Sequence, residues 1–155
     1  MKRNECVSKM KFLITNREKI ISLDGLLNQK HIVISICEPD MGLDFPELPE
    51  NPNRLGVLRL SFTDIDDIDA AKQIGQAHYL MTKEQAEEVV VFVKKYANSI
   101  ETIVCQCDGG ISRSSGMAAA LSKIFNWDDS WVFDSKEYVP NMFIYSMIIN
   151  TWYNL

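Results

Sequence analysis

Long apolar runs are missing from this sequence: no segment reaches the roughly 20 consecutive apolar residues that a membrane-crossing helix needs. Met1-Lys2-Arg3-Asn4-Glu5 is not followed by the apolar core of a secretory signal. A cytoplasmic protein with no membrane partner is therefore expected. Excess positive charge is also missing. Sixteen Lys and Arg stand against 21 Asp and Glu, a formal net charge of −5. A general nucleic-acid binder, which carries a basic stripe, is not expected. Metal-ligating residues are few and scattered: Cys6, Cys37, Cys105, Cys107, His31 and His78, with only Cys105 and Cys107 close together. A structural zinc site needs four well-placed ligands, so neither metal nor cofactor is expected. An even number of cysteines in a chain of this size does not signal disulfides. Repeats, low-complexity tracts and linkers are absent too, and 155 residues suffice for one domain (1–155) around one core.

What is present is a regular alternation of two kinds of segment. Met10–Thr15, His31–Cys37, Gly56–Phe62 and Glu101–Gln106 are short, apolar and rich in β-branched residues, the signature of strands. Between and after them lie helical patterns. Lys19–Leu27 is one. A second opens at Thr82-Lys83-Glu84-Gln85, the pattern of a capping box, and puts Ala86, Val89, Val90, Val93 and Ala97 on one face. A third runs over Ser114–Phe125 with Met117, Ala120, Leu121 and Ile124 inward, and Asn126–Asp129 breaks it. A short helix is expected over Asp134–Tyr138, and a last one from near Asn141 towards Trp152. Asp40–Arg54, with Pro46, Pro49 and Pro52, reads as a loop. Trp127, Trp131 and Trp152 are expected to anchor the C-terminal helices, given the area each can bury.

Strands alternating with amphipathic helices imply an α/β fold, a mostly parallel sheet of about four or five strands flanked by helices. Ligands in such folds bind beyond the carboxyl ends of the strands. The third strand ends at an acidic stretch, Asp64-Ile65-Asp66-Asp67-Ile68-Asp69, and the fourth ends at Cys107. Both therefore belong at one edge.

The segment that carries chemistry is Cys107-Asp108-Gly109-Gly110-Ile111-Ser112-Arg113-Ser114. A cysteine leaves a buried strand, a glycine-containing loop follows, and a helix begins. Glycines let successive amides turn inward as an anion-binding nest. The helix N-terminus adds unpaired N–H groups and partial positive charge. Arg113 supplies a planar fork that matches two phosphate oxygens. The same field favours a thiolate at Cys107, as it does for cysteines at helix N-termini generally. A nucleophile and a cradle for a tetrahedral anion thus share one loop, as nucleophilic phosphoryl transfer requires. Taken singly, Cys107 would be a buried small residue, Arg113 a surface charge and Gly109-Gly110 a turn. Cys105 lies on the same strand face as Cys107 and is expected to be core packing.

Cys107-x5-Arg113-Ser114 resembles the signature loop of the protein tyrosine phosphatase superfamily, its dual-specificity branch above all, from about Met10 to the C-terminus. The resemblance implies that Cys107 attacks phosphorus and forms a phosphocysteine. It implies that the amides from Asp108 through Gly109, Gly110, Ile111 and Ser112 to Arg113 hold the non-bridging oxygens, and that Arg113 clamps the transition state. Ser114 would donate to the sulfur and ease its departure, without any metal. An Asp after the strand beside the cysteine strand would protonate the leaving group. Aligning Val57–Asp64 with that strand puts Asp64 in this role, with Asp66 and Asp67 the other candidates. The implied partner is a phosphorylated protein or a small phosphomonoester.

Two features depart from the family pattern. Gln106 stands where the family has His before the cysteine, and Gln carries no charge. The separation of Asp64 from Cys107 is longer than in compact members, the excess lying in Asp69–Thr82. Gln106 favours a second reading, a catalytically silent module that binds phosphate. A rhodanese-like sulfurtransferase is a third, opposed by Arg113-Ser114 leading into a helix. No Gly-x4-Gly-Lys-Ser/Thr is present, which excludes a nucleotide P-loop.

Overall fold

The computed structural model describes residues 9–39 and 44–155. Cys6 and residues 40–43 of the proline-containing loop lie outside them. Strands β1 (Lys11–Thr15), β2 (His31–Cys37), β3 (Arg54–Ser61) and β4 (Thr102–Gln106) form one sheet in the order β1-β4-β2-β3, every pair parallel. The helices are α1 (Ile20–Leu26), α2 (Ile68–Gln73), α3 (Lys83–Tyr96), α4 (Arg113–Asn126), α5 (Ser130–Phe133) and α6 (Met142–Asn154). Every residue of β2 and β4 is buried, as expected of central parallel strands covered on both faces.

The two faces differ in depth. One carries Ile32, Ile34, Ile36, Ile103 and Cys105, packed under Val89 and Val93 of α3, Met117 and Leu121 of α4, and Ile144 and Ile148 of α6. Burying each such side chain contributes about 1.5–3 kcal/mol. The other face is thinner, with Val33 and Val104 under Ile20 of α1. The capping box is present: the Gln85 amide donates to Thr82 Oγ1 (3.1 Å) and the Thr82 amide to Gln85 Oε1 (2.9 Å).

Three expectations need correction. β3 does not lie beside the cysteine strand; β2 separates them. Asp134–Tyr138 is not helical, the short helix falling earlier, at Ser130–Phe133. Asp128 sets that start by accepting from the Ser130 amide (2.9 Å) and hydroxyl (2.6 Å). Trp127 anchors nothing: it sits in the left-handed region (φ 60°) at the end of α4 and is 79 % exposed. The other two tryptophans do pack. Trp131 stacks on Phe12 and donates to Ser122 Oγ (2.9 Å), and Trp152 meets Phe125 edge to face. The Asp69–Thr82 excursion contains most of α2 and a 3-10 turn at Ala77–Tyr79, neither of which periodicity announced.

Candidate functional site

Because all four strands run the same way, their carboxyl ends meet at one edge. β1 delivers Asn16 and Arg17 there, β2 Cys37 and Glu38, β3 Phe62 to Asp64, and β4 Cys107. From Cys107 the chain turns through five residues, 108–112, into α4, which begins at Arg113.

The turn is held from outside. The Arg17 amide donates to the Asp108 carbonyl (3.3 Å), the Val139 amide to Ile111 (3.0 Å) and the Asn141 amide to Ser112 (3.0 Å). The Ser115 hydroxyl also faces the Ile111 and Ser112 carbonyls, at 2.5 and 3.1 Å. In a trans peptide the N–H points opposite to the preceding C=O. Outward carbonyls at 108, 111 and 112 therefore turn the amides of Gly109, Ser112 and Arg113 inward, as a nest requires. Gly110 makes the turn possible. It has φ +68°, and a Cβ there would lie 2.8 Å from the Asn16 amide nitrogen and the Thr15 carbonyl carbon.

Cys107 is buried, 2 % exposed, beneath this loop. The Gly110 amide donates to its Sγ (3.3 Å), and the Ser114 hydroxyl lies 3.1 Å from it. Arg113 is 5 % exposed. Its Nη1 donates to the Phe62 carbonyl (3.0 Å), and Nη2 pairs with Glu38 (2.8 Å) and lies 3.6 Å from Asp108. Its Nε is buried with no hydrogen-bond partner among the described residues. A buried guanidinium N–H without an acceptor is costly, by at least about 1–3 kcal/mol, unless a ligand supplies one.

Gln106 is fully buried and its Oε1 accepts from the Ser35 hydroxyl. Ser35 and Gln106 are register partners on β2 and β4, so the contact crosses the sheet. The Gln106 Nε2 finds no partner among the described residues. Cys105 lies in the core, and burial pushes its thiol pKa up. Burial also raises that of Cys37. Both are free thiols.

The acidic candidates separate. The Asn141 side chain donates to both the carbonyl (2.9 Å) and Oδ1 (3.1 Å) of Asp64, two residues beyond the Phe62 carbonyl that holds Arg113. Asp67 instead caps α2 by accepting from the Asp69 amide (2.9 Å). Asp66 lies over α6, beside Met142 and Phe143. The structure thus brings Cys107, Arg113, Ser114 and residues 108–112 together, and ties Asp64 alone of the three to the segment that braces the loop.

Sequence reasoning missed Glu38 and Asn141. Glu38 follows a parallel strand at the ligand-binding edge, which is a usable signal. Asn141 read only as the start of a helix.

A groove opens beside the loop between Arg17, Ile21, Phe45, Pro46, Asp108 and Gly109. Arg17 bridges its walls, pairing with Asp44 (2.8 Å) and Asp108 (3.5 Å).

Among solved structures, this fold is that of the tyrosine and dual-specificity phosphatases. A mouse protein of the dual-specificity type, complexed with zinc tungstate, matches with a TM-score of 0.56 at 12 % identity, over 90 % of this chain and 80 % of that one. Human DUSP28 matches with a TM-score of 0.56 at 11 % identity, over 92 % and 91 %. PTPMT1 in complex with PI(5)P matches with a TM-score of 0.50 at 17 % identity, over 94 % and 88 %. No family model matches the chain, and no curated protein matches it by sequence. At these identities the likeness is one of fold, and the chemistry rests on the side chains described above.

Proposed function

We propose that this chain, with its phosphatase fold, is a cysteine-dependent hydrolase of phosphomonoesters. The observation that carries the reading is the pairing of two features on one loop. A buried thiol receives the Gly110 amide and neighbours the Ser114 hydroxyl, and a buried guanidinium beside it has an unmatched Nε–H. A phosphoryl oxygen supplies the acceptor that Nε lacks, and inward amides take the others. Cys107 Sγ attacks phosphorus, the P–O bond to the leaving group breaks, and a phosphocysteine forms. The leaving oxygen takes a proton from Asp64. Water, giving its proton back to Asp64, then displaces the thiolate, which the Ser114 hydroxyl stabilises.

Residues 108–112 contain no Lys or Arg, so a polyphosphorylated ligand finds little extra charge there. The groove beside the loop mixes apolar Ile21, Phe45 and Pro46 with Arg17, Glu18, Asp44 and Glu47. That lining suits the organic part of a phosphopeptide, with phosphotyrosine or dual specificity, or a small aryl phosphomonoester.

The alternative is a silent phosphate-binding module, favoured by the neutral Gln106. Hydrolysis of p-nitrophenyl phosphate in EDTA separates the two. Turnover that disappears in Cys107→Ser supports the hydrolase. No turnover in the wild type, with tungstate still raising the melting temperature, replaces it with the silent module.

A further inference from the structure

Asn141 is 1 % exposed and every polar group it carries is engaged. Its backbone amide donates to the Ser112 carbonyl (3.0 Å), bracing the anion loop, and its carbonyl accepts from the Tyr145 amide (3.1 Å). Its Oδ1 accepts from the Ile144 amide (3.0 Å) and caps α6. That leaves Nδ2, which donates to both the backbone carbonyl and Oδ1 of Asp64. The side-chain orientation is dictated by the network: Ile144 N–H needs an acceptor, and the two Asp64 oxygens need a donor. Gly116 permits the close approach, since a Cβ there would lie 2.6 Å from the Asn141 carbonyl oxygen.

We propose that Asn141 is the positioning residue of the Asp64 carboxyl group, holding it in register with the Cys107–Arg113 loop for proton transfer to the leaving group. This rests on the reading of Asp64 as the proton donor. Asp64 is exposed and begins a run of carboxylates with no strand to hold it. Unrestrained, it would lose backbone and side-chain freedom at every turnover. Asn141 grips it at two points, one fixing the backbone and one the carboxyl group, which leaves Oδ2 to carry the proton. Because the same residue braces Ser112, acid and anion loop are fixed to one body.

The test uses Asn141→Asp. It keeps an oxygen for the Ile144 amide and so keeps the helix cap, but sets a second carboxylate against Asp64. Asn141→Ser, another good N-cap, is the second variant should the first not fold. Both are compared with wild type, Asp64→Asn and the double variant Asp64→Asn/Asn141→Asp, on p-nitrophenyl phosphate and on phenyl phosphate, whose leaving group is far more basic. A general acid contributes about 10²–10⁴-fold, most where the leaving group is poor. The expected result is a loss in kcat/KM on phenyl phosphate of about 10²-fold, and a smaller loss on p-nitrophenyl phosphate. The double variant should be no worse than Asp64→Asn, and tungstate should raise the melting temperature of Asn141→Asp as it does that of wild type. An equal loss on both substrates, or losses that multiply in the double variant, overturns the proposal and leaves Asn141 a structural cap. An Asp64→Asn variant with wild-type leaving-group dependence overturns the acid assignment itself. Cys107-dependent turnover, measured alongside, tells that failure from failure of the hydrolase reading.

Discussion

The Arg113 guanidinium donates through Nη1 to the carbonyl of Phe62, 3.0 Å away and 51 residues earlier in the chain. The contact joins the segment after β3 to the anion loop although β2 lies between their strands. With Glu38 on Nη2, it points the remaining Nε–H where no acceptor of the described residues waits. Arg113 is thus held in place by protein groups, the preorganisation that the proposed catalysis would draw on.

Gly110→Ala should damage the loop beyond the cost of its backbone angle. An L-residue at φ near +68° pays roughly 1–3 kcal/mol of strain, and the new Cβ would meet β1 backbone at 2.8 Å. Gly75 provides the comparison: its φ is +71°, and a Cβ there would meet no atom of the described residues within 4 Å. In urea unfolding Gly110→Ala should be the less stable of the two and should lose its thermal response to tungstate. Equal stabilities would mean that the close approach to Thr15 and Asn16 does not constrain the loop.

Ser35→Ala should destabilise the fold by about 1–3 kcal/mol, because Gln106 Oε1 would then be buried without a donor. Adding Gln106→Met removes the stranded amide, including the Nε2 that already lacks a partner. The double variant should be more stable than Ser35→Ala alone. A double variant less stable than the single would show that the pair stabilises the sheet by more than mutual satisfaction.

A buried ionic cluster closes the opposite end of the sheet. Asp24, fully buried, accepts from His31 Nε2 (2.7 Å) and from Arg54, while His31 Nδ1 faces the Gln29 carbonyl (2.8 Å). Asp24→Ala leaves positive charge without its counterion and should cost about 3–5 kcal/mol. The proposed hydrolysis, per folded molecule, should be unchanged, since the cluster lies away from Cys107. Urea midpoints and kcat read the two effects separately.

The raised pKa values of Cys37 and Cys105 predict how thiols respond to pH. Burial favours the neutral thiol in both, so the native protein holds these protons to higher pH than the unfolded chain does. As pH rises through the ordinary thiol range, unfolding should therefore release protons, so stability should decline from that range upward until the native thiols ionise as well. Iodoacetamide at pH 8 to 9 should label Cys37 and Cys105 slowly in buffer and rapidly in urea, as read by peptide mass spectrometry. Equal labelling rates in the two conditions would contradict their burial.

Much of the site was legible before any fold was known, because the chemistry of residues 107–114 is local. A cysteine, a glycine turn and an arginine within one loop reach a common anion whatever surrounds them. Strand positions were readable for the same reason: β-branched runs bounded by turn residues need no partner to be recognised. Gln106 could be seen as a departure, but not that Ser35 would meet it, since that depends on the register of β2 on β4.

The sequence by itself determined the parallel α/β architecture, the capping box at Thr82, and the loop from Cys107 to Arg113. Each is written in neighbouring residues, through periodicity, caps and steric freedom. Tertiary structure alone decided the strand order, the ring contacts of Trp131 and Trp152 but not Trp127, and the recruitment of Glu38 to Arg113. It also set Asp64, held by Asn141, apart from Asp67, which caps α2. Carboxylates in a short acidic run look alike in sequence, and outside a strand no alternation rule says where each points. Asn141, 77 residues away, distinguishes them, because a hydrogen bond depends on position in space and not on separation along the chain.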